Sequence, residues 1–466
     1  MAGTFVIGDN KTRPGVYFNI AQEKKNALAE AVDGITAVVF QADFGPVGKA
    51  VELSAEDGYE AVFGNSGGTG VLEQVFAGGA KTIIACRVGN GGTKAEVKLK
   101  TGNTEAMSIT AKYPGSRTFS ITIRTKLSDE NRKECMIYTG LKELEHYEFA
   151  AGEGNEASAL AEAMKGSKRF DAAVIADGKL DDCSQEKFTA GTNPTVTAQD
   201  YSDGFAAIEP FYFNTLCVDT EDMAAHLLMQ AFMERIFDVG QFAIAVAAEK
   251  HDVALETRQE HAAAFNDKSM VYVLNAWVNE GDKEMDGCLT AARIAGMIAA
   301  CKSDKSLTHT VINDFTELLE PLTPSQMTAA EKSGCLVLSY NTSKEVWIDN
   351  AVNTLIDAKN GDDGWKKIRR TKTRYELIYR MNRQAESLIG MVDNDTNGRA
   401  TVTGQLQAVG TAMVDEGKLV RCVVTESNKY TADIDSAWFD VEVIDKDSLE
   451  HVYLTYHFQY STKGEE

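Results

Sequence analysis

Apolar and polar positions along this chain change their period from one stretch to the next, and each change marks a unit. From Ile35 the run TAVVFQA reads as a strand, followed by a helix after the cap-like Ser54 (SAEDGYEAVFG), a second helix VLEQVFAGGA and a buried strand TIIACRV. That β–α–α–β order predicts an α/β unit, with Gly78-Gly79 ending the helix and Val88 closing the strand. Beyond Gly89-Asn90-Gly91-Gly92 the period becomes two: KAEVKLK, AMSITAKY, FSITIRTK and ECMIYTG are short alternating strands divided by turn residues. This predicts a small antiparallel β-sandwich or barrel ending near residue 190. Between 196 and 345 helices and strands alternate again. TAQDYSDGFAAIE, EDMAAHLLMQAFMERIF and CLTAARIAGMIAAC read as helices, and FYFNTLCV, FAIAVAA, MVYVLNAWV and CLVLSYN as strands. Strands written as continuous apolar runs belong to a parallel sheet covered on both faces. The helix carrying Ala295, Gly296 and Ala299 is apolar nearly all round, which places it inside.

The two ends have patterns of their own. Arg13-Pro14-Gly15 is a turn signal, and Val16, Tyr17, Phe18 and Ile20 lie in a strand-forming stretch, so residues 1–20 read as an extended arm. After residue 345 come VWIDNAVNTLI as helix or strand, a basic run, a long helical segment through Met391, and an amphipathic one from Thr401 to Glu416. Two strands close the chain, KLVRCVVT and the strictly alternating HVYLTYHFQY, which contains Val452, Tyr453, Leu454, Tyr456, Phe458 and Tyr460. The expected division is an arm over 1–20, an α/β unit over 21–92 and a sandwich over 93–190. An α/β domain over 191–345, an α+β domain over 346–447 and a terminal arm strand over 448–466 follow. The fold class is therefore mixed α/β and β, in several domains.

At 466 residues the chain is too long for one ordinary core, in agreement with three or four domains. A formal net charge of −22 argues against wrapping nucleic acid, which needs a basic footprint. The same charge makes like surfaces repel, so self-assembly needs strong local contacts. The eight cysteines (Cys86, Cys135, Cys183, Cys217, Cys288, Cys301, Cys335 and Cys422) are scattered without a C-x-x-C pair, several within apolar runs, and read as buried reduced thiols. MAGTFVIGDNKTRPG lacks the basic-then-apolar order of a secretory signal. The longest apolar stretch, CLTAARIAGMIAAC, contains Arg293 and is too short to span a bilayer. Folding in a bacterial cytoplasm, without membrane insertion, is the expectation.

Motifs that could carry chemistry are incomplete. Gly67-Gly68-Thr69-Gly70 lacks the third glycine of a dinucleotide fingerprint and any Gly-Lys-Ser/Thr ending, and reads as a glycine-rich helix start. Asp393, Asn394, Asp395 and Asn397 miss the glycine and terminal glutamate of a calcium loop and read as a polar turn. No Cys/His set has zinc spacing, and no cofactor is expected. Two features rise above this background. The terminal strand must be paired with something, in its own subunit or another, because a lone exposed strand is an aggregation hazard. The run Lys366, Lys367, Arg369, Arg370, Lys372 and Arg374 concentrates positive charge in an acidic chain, as a solvated helix face or as a contact for an acidic partner.

Arg13-Pro14-Gly15-Val16-Tyr17, GGA…TIIACRV and Tyr113-Pro114-Gly115-Ser116-Arg117, together with AARIAG over 291–296, Val352-Asn353-Thr354-Leu355 and Glu450-His451-Val452-Tyr453, in that order and spacing, resemble the contractile phage tail sheath family. The form resembled is the compact one of phages and phage-derived particles of low-GC Gram-positive bacteria. The resemblance implies an N-terminal arm and α/β unit, a β-sandwich, a domain of subtilisin-like fold and a C-terminal domain. Where the family often has Gly-Asn after the YPG-x-R element this chain has Thr118-Phe119, so that turn is built differently. A subtilisin-like domain raises the question of a protease, yet no H-G-T or G-T-S-M element is present, and His226, His251 and His261 stand on helical segments without catalytic context. What the resemblance implies is a structural subunit, not an enzyme. It polymerises through its arms into a helical sheath around a tail tube, in the company of baseplate and tail terminator proteins, and contracts to drive the tube through an envelope. The C-terminal part of such proteins tends to face the tube, which assigns the basic run to tube contact. Rival readings are a hydrolase using the central α/β domain and a non-contractile tail or capsid component.

Overall fold

The computed structural model describes residues 33–458 apart from Asp57, Glu153, Lys359 and Asn360, together with the backbone of two strands, Ala2–Thr4 and Val16–Phe18, which pair in parallel. Ile20 and Tyr460 lie outside the described residues.

Thr215–Val218, Ile244–Ala247 and Met270–Val273 are buried at every position, as apolar strands covered on both faces must be. They form the middle of an eight-stranded sheet. Its order runs Val346–Asn350, Cys335–Tyr340, Met270–Val273, Ile244–Ala247, Thr215–Val218, Ile35–Phe40, Thr82–Arg87 and Ala50–Ser54. All neighbours are parallel except the outermost strand on each edge. The stretch expected as a separate N-terminal unit thus supplies three strands of the central sheet, with Thr36 pairing to Thr215 across the junction. Local period cannot reveal this, because the pairing spans 179 residues of sequence.

Helices cover both faces, giving three layers. Helices Gly70–Ala77 and Cys288–Ala300 pack on one core, and Ala198–Ile208, Met223–Asp238, Leu255–Phe265 and Pro324–Lys332 contribute to the other. The expected burial of Cys288–Ala300 is met: all but three of its thirteen residues are buried. It crosses Gly70–Ala77 at a point where the backbones touch. A Cβ on Gly296 would lie 2.2 Å from the Val75 carbonyl oxygen, and one on Gly78 would lie 2.4 Å from that of Arg293. Only glycine allows that approach.

Ser54 ends a strand instead of capping a helix, and the helix that follows is only Glu60–Phe63. MVYVLNAWV breaks in two, because Asn275 donates to the Leu338 carbonyl (2.8 Å) and accepts from the Leu338 amide (2.9 Å), closing its own stretch of ladder.

The sandwich is inserted between Thr82–Arg87 and Thr215–Val218. One sheet is ordered Lys142–Ala150, Asp129–Thr139, Ser120–Lys126, Cys183–Lys187, and the other Phe170–Val174, Thr104–Ala111, Glu96–Thr101. They share one core, in which Phe119 packs edge-on against Phe44 and Phe170. That buried ring explains the Thr118-Phe119 departure: the position serves packing. Arg87, fully buried, donates to the carbonyls of Gly45 (2.7 Å) and Pro114 (2.8 Å), joining the TIIACRV and YPG-x-R elements where sandwich meets sheet.

Residues 368–445 form the last unit. Helices Ile368–Glu386 and Thr396–Asp415 pack on a hairpin of Leu419–Glu426 with Phe439–Asp445. Asp395, read above as part of a polar turn, caps the second helix by accepting from the Gly398 amide at 2.7 Å. The hairpin partner is Phe439–Asp445, and HVYLTYHFQY forms no strand among the described residues.

Candidate assembly site

Helix Ile368–Glu386 opens with basic residues, an unfavourable place for them, because a helix N-terminus carries partial positive charge. The chain resolves the conflict with its own carboxylates. Arg370 and Arg374, one turn apart on one face, close on Asp445 at the end of the hairpin. Arg370 donates two bonds of 2.8 Å, and Arg374 Nε donates one of 2.9 Å. Burial alone would raise the Asp445 carboxyl, but the bonds and charges of the two guanidinium groups outweigh it and bring its pKa from 3.8 to about 2. Lys367 pairs with Asp447 (2.9 Å) and Glu450 (2.7 Å). Glu450 also accepts from Ser448 at 2.8 Å. Asp445, Asp447 and Glu450 are therefore fastened to the helix start, and the segment beyond them leaves the body from a fixed root.

Lys372 lies elsewhere. Its ammonium donates to the Ile298 carbonyl at 2.6 Å and to that of Cys301, at the C-terminal end of the buried helix Cys288–Ala300, where a cation complements the dipole. Burial lowers its pKa, partly opposed by Asp33. Four of the six cations are thus already engaged within the chain. Lys367, Arg370 and Arg374 are engaged with carboxylates, and Lys372 with helix carbonyls, of their own chain. Lys366 keeps a local bond to Asp363 (2.8 Å), and Arg369 makes no ion pair among the described residues.

The hairpin buries Leu419, Cys422 and Val424 against the helices and leaves Val420, Val441 and Ile444 exposed. Its sheet has two strands, so each has an outer edge with no neighbour among the described residues. Past Glu450, Val452, Tyr453, Leu454, Tyr456 and Phe458 make no ladder among the described residues and are exposed, Tyr453 and Phe458 at 92%. Apolar and alternating in sequence, this segment has no strand partner among the described residues.

Three histidines singled out in the sequence make short contacts within the chain. His226 meets the Thr220 carbonyl at 2.9 Å, His251 meets Asp286 at 2.6 Å and stacks on Trp277, and His261 meets Glu249 at 2.8 Å. None of these bonds reaches a Ser, Thr or Cys side chain. Cys288 opens the buried helix, and burial together with Glu221 raises its thiol pKa well above 9, away from the thiolate. One trio that sequence reading missed, Glu134, His146 and Glu148, brings potential ligand atoms within 4.8 Å of one another. Its carboxylates are already neutralised by Arg124 (3.1 Å) and Lys126 (2.5 Å). Among the described residues no helix is long and apolar enough to cross a membrane.

Residues 195–354 match the family described as phage tail sheath protein central domain. The phage-like element PBSX protein XkdK of Bacillus subtilis is 21% identical over 369 residues, 76% of this chain and 75% of that protein. The crystal structure of a sheath tail protein from Desulfitobacterium hafniense matches with a TM-score of 0.74 at 20% identity, covering 94% of this chain and 98% of that one. The helical sheath of the anti-feeding prophage in its contracted state matches with a TM-score of 0.54 at 11% identity, covering 96% and 99%.

Proposed function

We propose that the chain, whose residues 195–354 match the phage tail sheath central domain and whose fold is similar to that of a solved sheath tail protein, is the repeating subunit of a contractile sheath. The observation that carries the reading is the segment after Glu450: an alternating apolar sequence, exposed and with no ladder among the described residues, following a hairpin whose two strands have no further neighbour among those residues. Head-to-tail contacts of this kind do not close into a dimer and generate helical lattices. Strand addition gives each link directional backbone hydrogen bonds. Val16, Tyr17, Phe18 and Ile20 would serve the same purpose at the other end.

Subunits so linked can rotate as bodies while the strands hold. The extended lattice is then a trapped state, and contraction adds contacts between bodies and releases free energy. The lattice surrounds a tail tube and meets baseplate and terminator proteins at its ends. Contact with the tube falls to Lys366 and Arg369, the cations of the basic run that the chain leaves least engaged.

Electron microscopy of the purified protein tests the reading: ridged hollow cylinders wider than a tail tube are expected. Protein truncated after Leu449 should remain folded and monomeric. Intact protein that forms no tubes, or truncated protein that forms them equally well, overturns the proposal.

A further inference from the structure

A cavity of about 680 Å³ lies between the C-terminal end of helix Met223–Asp238, the turn over 266–269 and the segment leading to Trp365. Three rings wall it. Tyr375 is 6.1 Å from Phe237 and 5.9 Å from Trp365, centroid to centroid. Five carboxylates line it: Glu234, Asp238, Asp267, Asp357 and Asp362. Asp362 is satisfied by Arg374 at 2.8 Å, and Asp267 accepts from Ser269 at 2.8 Å. Glu234, Asp238 and Asp357 make no ion pair among the described residues, and the helix C-terminus adds its own negative end.

The Tyr375 hydroxyl is a second, independent sign. Its residue is 5% exposed and the oxygen has no hydrogen-bond partner, although a buried polar group normally has one. Burial raises its pKa, and the charge of Asp267 adds to the rise. The rings already accept cations: the Lys268 ammonium stands 4.1 Å from the Phe237 centroid and 5.4 Å from that of Trp365, and Arg374 lies 4.6 Å from Trp365.

This lining selects among ligands. An anion would meet unpaired carboxylates, and a neutral apolar group would strip them of water without compensation. A bare divalent ion needs converging oxygen ligands, and these carboxylates do not converge: the only such set among the described residues is in the sandwich. Aromatic faces, spaced carboxylates and an unused hydroxyl together suit a positive head on a methylene stem.

We propose that this cleft binds an organic ammonium group carried on an alkyl chain, as found at the end of a polyamine or on a lysine side chain of another polypeptide. The site is separate from the arms and does not depend on the sheath reading.

Calorimetry on the full chain at constant ionic strength tests it, with spermidine and a short lysine-containing peptide amide as probes and magnesium chloride as a control. Saturable binding of at least one probe is expected, weakened at least tenfold in Glu234→Gln/Asp238→Asn/Asp357→Asn, whose positions are exposed, and several-fold in Tyr375→Phe, which removes only the hydroxyl. Binding of spermidine alone identifies a small amine as the source, and binding of the peptide identifies a polypeptide. No saturable binding of either probe, equal binding by the triple variant, or equal displacement by magnesium overturns the proposal.

Discussion

Asp445→Asn isolates the fastening of the C-terminal root. The carboxylate is held by two guanidinium groups, and its pKa falls from 3.8 to about 2. At about 1.36 kcal/mol per pH unit that difference corresponds to about 2.4 kcal/mol. Solvent reaches part of the group, so about 1–2 kcal/mol is a fairer figure after screening. The sign follows from the direction. A carboxylate whose folded pKa is depressed stabilises the fold fully above its unfolded pKa, near 4, and loses that contribution as pH falls through about 2. Hydrogen exchange in Leu419–Glu426 and Phe439–Asp445 reads it directly. At pH 7 the variant should exchange about five- to thirtyfold faster in both strands than the native chain, since each 1.4 kcal/mol is tenfold. Near pH 2 the two proteins should converge. Equal protection at pH 7, or a difference that persists undiminished at pH 2, would refute the assignment of this energy to the Asp445 charge.

Gly296→Val should destabilise the central sheet by about 1–3 kcal/mol or more, read as a lower urea midpoint, because even a Cβ would lie 2.2 Å from the Val75 carbonyl. Gly404→Ala, in helix Thr396–Asp415 with nothing within 4 Å, should instead stabilise by about 0.5–1 kcal/mol. Alkylation at pH 8 followed by mass spectrometry should find half-buried Cys183, with its pKa at about 11, modified before buried Cys86 and Cys335, both at about 12, and all eight thiols modified after unfolding.

What the sequence made legible follows the range of the interactions concerned. The parallel strands announced themselves because burial on both faces writes an uninterrupted apolar run, and the helix carrying Ala295, Gly296 and Ala299 announced its burial by being apolar nearly all round. Phe439–Asp445 went unread although it alternates, because three of its seven positions are carboxylates and it faces solvent on one side. The basic run looked like an outward patch because the groups that answer it, Asp445 and Asp447, lie 75 and 80 residues further along the chain from their partners Arg370 and Lys367. The merging of the first strands into the central sheet was hidden for the same reason. Of the terminal segments, Val16–Phe18 forms the expected strand and pairs with Ala2–Thr4, whereas HVYLTYHFQY, which alternates just as clearly, forms no strand among the described residues, because alternation records which face is apolar and not which partner completes the ladder.

The insertion of the sandwich between neighbouring strands has a consequence for how the molecule is made. Ile35–Phe40 can pair with Thr82–Arg87 early in synthesis, but its other neighbour, Thr215–Val218, emerges 179 residues later. At roughly 5–20 residues per second that is a wait on the order of 10–40 s. During it the open side of Ile35–Phe40, with Val38, Val39 and Phe40 destined for complete burial, is an unoccupied strand edge. The sandwich, whose hydrogen bonds are mostly to itself and whose core is its own, can fold in that interval. Its return brings the ends of the insertion together through the Asn90–Thr195 and Thr93–Thr192 bridges. A domain that reads as decoration on the finished subunit thereby acts, during synthesis, as the clamp that delivers the second half of the sheet to the first.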